Sequence, residues 1–368
     1  MARVRRVIDH GVSFYEHQVE KDDGVKLFRG HARFVDEHRI ECNGETIEFT
    51  HALIAAGARP RIPELPGLDT VPFATSDDLL QATELPEHLV CLGGGPVALE
   101  FGQAYRRFGG KVTIAFRAAR LVSGEDAELT ALLQRYLEEE GIEVVSGFTP
   151  ARAELNAGRP SVVAGDGRRV TGDRLLVAFG RLPNVGGFGL EEIGVRTAAS
   201  GVLVDAELRT SLTHVYAVGD ATGGLMFTHV ATYEAPLAIA NMLDGAGLRP
   251  DYRVIPRAIF TAPELAGVGL TEEHARLTGR EVEIRRYDVH KLGRARAIGD
   301  ARGRIKFVLD ATGGQILGAH MLAPHGAELL PGPMVAMNAG RGTLEPLLQT
   351  IHAHPTLSEA VKIAAREG

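Results

Sequence analysis

Residues 89–100 read LVCLGGGPVALE, and this stretch decides the fold. The apolar run 89–92 predicts a short buried strand, and Gly93-Gly94-Gly95 predict a tight turn. Apolar spacing then predicts a helix over 97–108, and a second strand follows over 111–116. A strand–turn–helix–strand unit of this kind is typical of a parallel sheet in an α/β fold.

The glycines of this turn have the form G-x-G-x-x-A, which favours a dinucleotide phosphate site. Gly93 permits the turn, and Gly95 lets the backbone come close to a pyrophosphate. The helix that begins with Pro96, Val97 and Ala98 offers unpaired N–H groups and a partial positive charge. The alternative is a purely structural glycine turn.

The end of the second strand predicts which nucleotide binds. An NAD site usually carries Asp or Glu there, to hold the ribose 2′-hydroxyl. Here the strand ends Ala115-Phe116-Arg117, Arg120 follows, and no carboxylate is present. Two guanidinium groups would bind a 2′-phosphate, so we predict NADP(H) rather than NADH. The alternative is that both arginines are solvated surface charges.

Composition excludes several classes of protein. The 40 basic and 47 acidic residues give a net charge of −7, with no basic block to bind nucleic acid or an anionic membrane. The 44 glycines without a collagen period are typical of tight turns and close backbone approaches. With two cysteines, Cys42 and Cys91, and no signal peptide or long apolar run, we expect a cytoplasmic protein from a reducing compartment.

The rest of the chain alternates between strands and helices. Residues 1–21 have helical spacing, and residues 25–57 suggest short strands with Asn43-Gly44 as a hairpin turn. Three prolines make the segment 59–67 a linker between domains, and the region 249–256 is predicted to be a second domain boundary. Further strands are predicted over 142–145, 175–180, 215–219, 258–260, 281–287, 305–309 and 316–321. Further helices are predicted over 126–140, 232–243, 327–339 and 344–349.

A second nucleotide signature is THVYAVGD, residues 213–220. An apolar strand that ends in Gly219-Asp220 places a carboxylate where it can accept hydrogen bonds from a polyol or ribose. The motif is a more specific signal when LIAAG at 53–57 and AFGRLPN at 178–184 occur in the same chain.

These pieces resemble the pyridine nucleotide-disulfide oxidoreductases, the flavoenzymes that include dihydrolipoamide dehydrogenase, glutathione reductase and mercuric reductase. The matching segments follow the order of that family over nearly the whole chain. They are LFRGHARF, LIAAGARPRIPELPG, GGGPVALE, AFGRLPN, TSLTHVYAVGDAT, FTHVA, IFTAPELAGVGLTE and HAHPTLSE.

The resemblance implies Rossmann-like nucleotide-binding domains followed by an α+β dimerisation domain. A partial FAD domain would comprise 1–72 and 200–250, the inserted NAD(P) domain 73–199, and the dimerisation domain of a homodimer 251–368. The cofactors would be FAD and NADP(H), used with a small-molecule substrate. Beyond the residues already named, the implied cofactor-binding residues are Gly57, Glu100, Gly180, Gly219, Asp220 and Thr228.

HAHPTLSE at 352–359 carries a possible acid–base pair. A carboxylate five residues after a histidine can fix its tautomer. By resemblance, His354 would exchange a proton with the dithiol of the partner subunit, and Glu359 would orient it. An incidental histidine at a helix start is the alternative. His352 and His354 do not make a metal pair, because no further ligand cluster accompanies them.

The family's first FAD-binding G-x-G-x-x-G turn and its redox-active C-x-x-x-x-C are absent from this chain. Cys42 and Cys91 lie in strand-like contexts and are interpreted as small buried residues. We therefore expect an N-terminally truncated member with weakened FAD binding. The leading interpretation is a flavoprotein that passes hydride from NADPH to flavin. The alternatives are a non-catalytic NADPH-binding or dimerisation protein and an NAD(P)H oxidase-like flavoprotein without a disulfide.

Overall fold

The computed structural model describes residues 2–22 and 24–367. The helices in this part of the chain are α1 (Ala2–Lys21), α2 (Ser76–Gln81), α3 (Pro96–Arg107), α4 (Ala127–Glu139), α5 (Thr228–Asp244), α6 (Glu272–Leu277), α7 (Gly293–Ala297), α8 (Gly326–Leu329), α9 (Pro331–Asn338), α10 (Glu345–Gln349) and α11 (Ser358–Arg366). The strands are β1 (Ala32–Asp36), β2 (Arg39–Cys42), β3 (Glu45–Glu48), β4 (Ala52–Ile54), β5 (Ala58–Pro60), β6 (Phe73–Ala74), β7 (His88–Leu92), β8 (Lys111–Ala115), β9 (Ile142–Val145), β10 (Pro150–Asn156), β11 (Arg159–Ala164), β12 (Arg169–Thr171), β13 (Arg174–Val177), β14 (Arg181–Pro183), β15 (Thr197–Ala198), β16 (Gly201–Val202), β17 (Val215–Ala217), β18 (Pro256–Ile259), β19 (Glu264–Gly269), β20 (Val282–Asp288), β21 (Arg304–Asp310) and β22 (Ile316–Ala323).

The chain divides into two compact units. The first combines the described residues up to Ile62 with Leu80–Thr83 and Gly180–Asp251. The second combines Pro63–Leu79, Glu84–Phe179 and the described residues from Tyr252 onward. The chain therefore first passes from one unit to the other between Ile62 and Pro63, inside the proline-rich segment 59–67. The domain limits inferred from the sequence remain predictions.

The parallel sheet predicted around residues 89–116 is confirmed in the second unit. Its strand order is β6-β13-β7-β8-β9, and every neighbouring pair in it is parallel. Leu89, Val90, Cys91 and Leu92 in β7 are all buried, as expected for a strand covered on both faces. Gly102 allows α3 to lie close to β8, since a Cβ there would stand 3.1 Å from Ile114.

The same unit contains the antiparallel sheet β18-β19-β22-β21-β20. Alternate residues of β21, Ile305, Phe307 and Leu309, face a core that also contains Ala360, Val361, Ala364 and Ala365 of α11. This strand and helix mixture confirms the α+β character predicted for the C-terminal region.

The first unit is built from small sheets. Strands β1–β3 form an antiparallel meander whose β2–β3 hairpin turns at Asn43-Gly44, both with positive φ, as predicted. Strands β4 and β17 pair in parallel, and β5 pairs antiparallel with β14. No helix in the described part of the chain combines the length and apolar character needed to cross a membrane.

The structure differs from the sequence-based elements in several places. The helix predicted over 327–339 is interrupted between α8 and α9, because Pro331 lacks the N–H that a continuous helix needs. Helix α5 begins at Thr228, four positions before its predicted start. The three-stranded sheet β10-β11-β12 was not predicted at all.

Candidate functional site

The glycine-rich turn joins β7 to α3 in the second unit. Gly93 has φ +137°, and a Cβ there would stand 2.3 Å from the carbonyl oxygen of Ala178. Gly95 has extended backbone and precedes Pro96, the first residue of α3. A Cβ at position 95 would meet no atom within 4 Å. The N–H groups of Val97 and Ala98 belong to the first turn of α3 and have no acceptor within the helix, as a phosphate site at a helix N-terminus requires.

The two arginines after β8 have different surroundings. Arg117 is exposed and forms no hydrogen bond or salt bridge with another described residue. The Arg120 guanidinium donates to the Ser123 carbonyl oxygen at 2.7 Å and to Glu273 Oε2 at 3.0 Å. Arg120 is thus engaged within the protein, so the predicted 2′-phosphate contact depends mainly on Arg117.

Glu100 lies one turn into α3 from the glycine-rich turn. Its Oε1 accepts a hydrogen bond from the Phe260 N–H at 2.9 Å. Burial raises the pKa of Glu100, and the Phe260 N–H opposes that shift only in part. Glu100 therefore contacts the end of β18 and lies beside the nucleotide turn.

In the first unit, LIAAG at 53–57 is brought together with residues 180–184 of AFGRLPN. Gly57 and Gly180 have positive φ, and a side chain on either would enter open space. The Asn184 N–H donates to the Gly57 carbonyl at 2.9 Å, and the Asn184 side-chain amide donates to the Ala56 carbonyl at 2.9 Å. Because β5 and β14 are antiparallel, the two glycines lie at opposite ends of this strand pair, Gly57 beside Asn184 and Gly180 beside Arg61.

The Gly-Asp signature follows β17, also in the first unit. Gly219 has φ +65°, and its N–H donates to Glu234 Oε2 at 2.6 Å. The next residue, Asp220, has its Oδ2 3.9 Å from Arg181 Nε, and its side chain is 23% exposed. Thr228 is the first residue of α5. Asp220 can therefore accept a hydrogen bond from a ligand hydroxyl.

Glu234 is a residue that sequence reasoning missed. It is 4% exposed on α5 and holds the backbone that presents Asp220. The signal was available, because Glu234 immediately precedes the apolar stretch APLAIA at 235–240. A charge at such a position predicts a buried partner.

The structure brings His354 and Glu359 together in the second unit. Glu359 Oε1 lies 3.0 Å from His354 Nδ1, and Glu359 Oε2 accepts from the Thr356 N–H at 2.9 Å. The Thr356 N–H and then the His354 ring lower the pKa of Glu359. His354 itself has an 82% exposed side chain. Its Nε2 is therefore accessible for proton exchange with a ligand or with another protein chain.

Both cysteines are free and buried. Burial strongly raises the pKa of the Cys91 thiol, so Cys91 carries no thiolate near neutral pH. Their interpretation as buried residues rather than as a redox pair agrees with this placement.

Comparison with known proteins gives consistent results. The family described as "Pyridine nucleotide-disulphide oxidoreductase" matches residues 7–235, and its dimerisation domain matches residues 255–365. The chain is 35% identical to dihydrolipoyl dehydrogenase of Geobacillus stearothermophilus, over 94% of this chain and 74% of that protein.

A mercuric reductase of Staphylococcus aureus is 34% identical over 93% of this chain, which spans 63% of that protein's length. Among solved structures, the HOCl-induced flavoprotein disulfide reductase RclA from Escherichia coli superposes with a TM-score of 0.93 at 29% identity. This match covers 98% of this chain and 84% of RclA. The chain therefore belongs to the pyridine nucleotide-disulphide oxidoreductase family, with its dimerisation domain after the nucleotide-binding region.

Proposed function

We propose that the protein is an FAD- and NADPH-dependent oxidoreductase that passes hydride from NADPH to flavin. The observation that carries this proposal is the open space above Gly95 at the N-terminus of α3, with the unpaired Arg117 at the end of the adjacent strand. When bound, the flavin would accept the hydride and release two electrons to an acceptor.

The chain's own residues would bind and orient the cofactors. The N–H groups at the start of α3 would bind the NADPH pyrophosphate, and Arg117 would pair with the 2′-phosphate. Asp220 would accept a hydrogen bond from an FAD hydroxyl, and the Gly219–Glu234 contact would fix its backbone. In a homodimer, His354 would move a proton to or from the acceptor while Glu359 holds its Nδ1 side.

Flavin and NADPH binding can be tested on the purified chain. The protein is incubated with FAD, freed of unbound FAD, and treated with NADPH without oxygen. We expect retained flavin absorbance that NADPH bleaches. Gly95→Val is the variant that tests the nucleotide site, because a Cβ at position 95 has no atom within 4 Å. The variant should retain flavin but lose bleaching.

A protein that retains no flavin would contradict the proposal. If NADPH still raised the melting temperature of that colourless protein, a non-catalytic NADPH-binding protein would be indicated.

The buried thiols favour a second candidate, an NAD(P)H oxidase-like flavoprotein without a protein disulfide. Cys42 and Cys91 cannot exchange with a substrate disulfide while they are buried. Reduction of oxygen but not of added disulfides by the loaded protein would select this candidate over a disulfide reductase.

A further inference from the structure

A cavity of about 270 Å³ lies along α11, beside the His354–Glu359 pair. Its lining residues are Ile351, His352, Glu359, Lys362, Ile363 and Arg366. The last four are spaced i, i+3, i+4 and i+7, which places them on one face of the helix. The cavity therefore shares Glu359 with the acid–base pair.

Positive charge predominates in this cavity. No carboxylate of the described residues lies within 4.0 Å of the Lys362 or Arg366 side-chain nitrogens. Lys362 Nζ donates one bond, to the Thr350 carbonyl at 2.5 Å, which leaves two of its donors. The single carboxylate in the lining, Glu359, already accepts from Thr356 and contacts His354. Within the described part of the chain, neither cation is therefore paired with a carboxylate.

His352 supplies an independent observation. Its Nδ1 lies 3.2 Å from Ser358 Oγ, whereas its Nε2 is buried and has no hydrogen-bond partner among the described residues. Buried polar atoms in folded proteins nearly always have a partner. His352 therefore brings a buried, unsatisfied nitrogen to the wall of this cavity.

Ile351 adds an apolar edge to the same cavity. Its side chain is 93% exposed, which is costly for a large aliphatic residue unless something covers it. A ligand that suits this lining has a short apolar chain and an anionic end.

We propose that this cavity binds the carboxylate end of an acidic electron acceptor, with Lys362 and Arg366 as its specificity-determining residues. That the ligand is an electron acceptor rests on the proposed function. Arg366 would grip the carboxylate through two N–H groups, and Lys362 would add a point charge. The acceptor's reactive part would then lie near His354.

The test compares a dithiolane carboxylic acid with its neutral amide. Binding of each to the full chain is followed through the ring signals of His352 and His354 by NMR, with no electron transfer required. We expect the acid to bind more tightly than the amide. Arg366→Gln should weaken binding of the acid about tenfold and leave the amide unchanged. Lys362→Gln should act in the same direction.

Arg341→Gln is the matched control, since it removes the same charge from an exposed loop position. Equal affinities for acid and amide, or an Arg366→Gln variant that folds normally and binds both as before, would overturn the subsite. Charge-selective binding without NADPH oxidation would retain the subsite and reject the proposed function. NADPH oxidation without charge-selective binding would retain the proposed function and reject the subsite.

Discussion

Arg117 and Arg120 look equivalent in the sequence, but their side chains have different exposure and different hydrogen-bond partners in the structure. Both are arginines shortly after β8, and both were predicted to bind a 2′-phosphate. Arg120 Nη2 is bound to Ser123 and Glu273 and its Nε is buried, whereas the Arg117 side chain is exposed and free of such partners in the described structure. Nucleotide preference should therefore respond to Arg117 above all.

Arg117→Glu should favour binding of NADH over NADPH. A carboxylate at this position would repel the 2′-phosphate and could hold a ribose 2′-hydroxyl. We expect NADPH binding to weaken about 10- to 100-fold, as for the loss of a charge-assisted hydrogen bond. Dissociation constants for NADPH and NADH measure this. Lys111→Glu at the other end of β8 is the control, and an unchanged preference in Arg117→Glu would reject the phosphate site.

At the scale of elements, α4 is joined to the antiparallel sheet by a buried ion cluster. Asp126 caps α4 by accepting from the N–H groups of Glu128 and Leu129, and its Oδ2 lies 2.8 Å from Lys306 Nζ on β21. Lys306 also lies 2.8 Å from Glu272 Oε2 and is 2% exposed. Burial would lower the pKa of Lys306, but the hydrogen bonds that Lys306 donates to Asp126 and Glu272 outweigh that effect and raise the pKa.

Lys306→Met should destabilise the second unit by about 3 kcal/mol, because it leaves the Asp126 carboxylate buried without its cation. Lys291→Met is the control, since Lys291 is exposed. Chemical denaturation of both variants measures the difference in the free energy of unfolding. Equal stability of the two variants would show that the cluster contributes nothing.

The elements that the sequence predicted well are those with local signals. The β7–α3–β8 unit follows from one apolar run, three glycines and helical spacing, all within residues 89–116. Lys306 has no such signal, because it occupies a position in the strand RIKFVLD and its partner Asp126 is 180 residues away. The hydrogen bond between Glu100 and Phe260 likewise depends on a contact across 160 residues.

The contacts of the candidate site also fall into those that local sequence predicts and those that it does not. His354 and Glu359 are five residues apart, so their contact could be expected before the structure. The hydrogen bond between Gly219 and Glu234 joins residues 15 positions apart, and the one between Arg120 and Glu273 joins residues 153 positions apart. Long-range pairs of this kind are set by the packing of whole elements, which local patterns do not encode.

At the scale of the whole molecule, we expect a homodimer. The match to the family's dimerisation domain over residues 255–365 supports this expectation. Sedimentation velocity at micromolar concentration should show a species of twice the chain mass. A monomer over the accessible concentration range would contradict the dimer and would leave His354 without a partner subunit to serve.

The two outer glycines of the G-x-G turn will behave differently in a genetic screen. Substitutions at Gly93 would drive a side chain into the Ala178 carbonyl, so cells should lose the protein to degradation together with its function. Substitutions at Gly95 would instead leave an abundant, folded protein with a blocked nucleotide site. Selection for inactive but well-expressed alleles should therefore be enriched at codon 95 and depleted at codon 93.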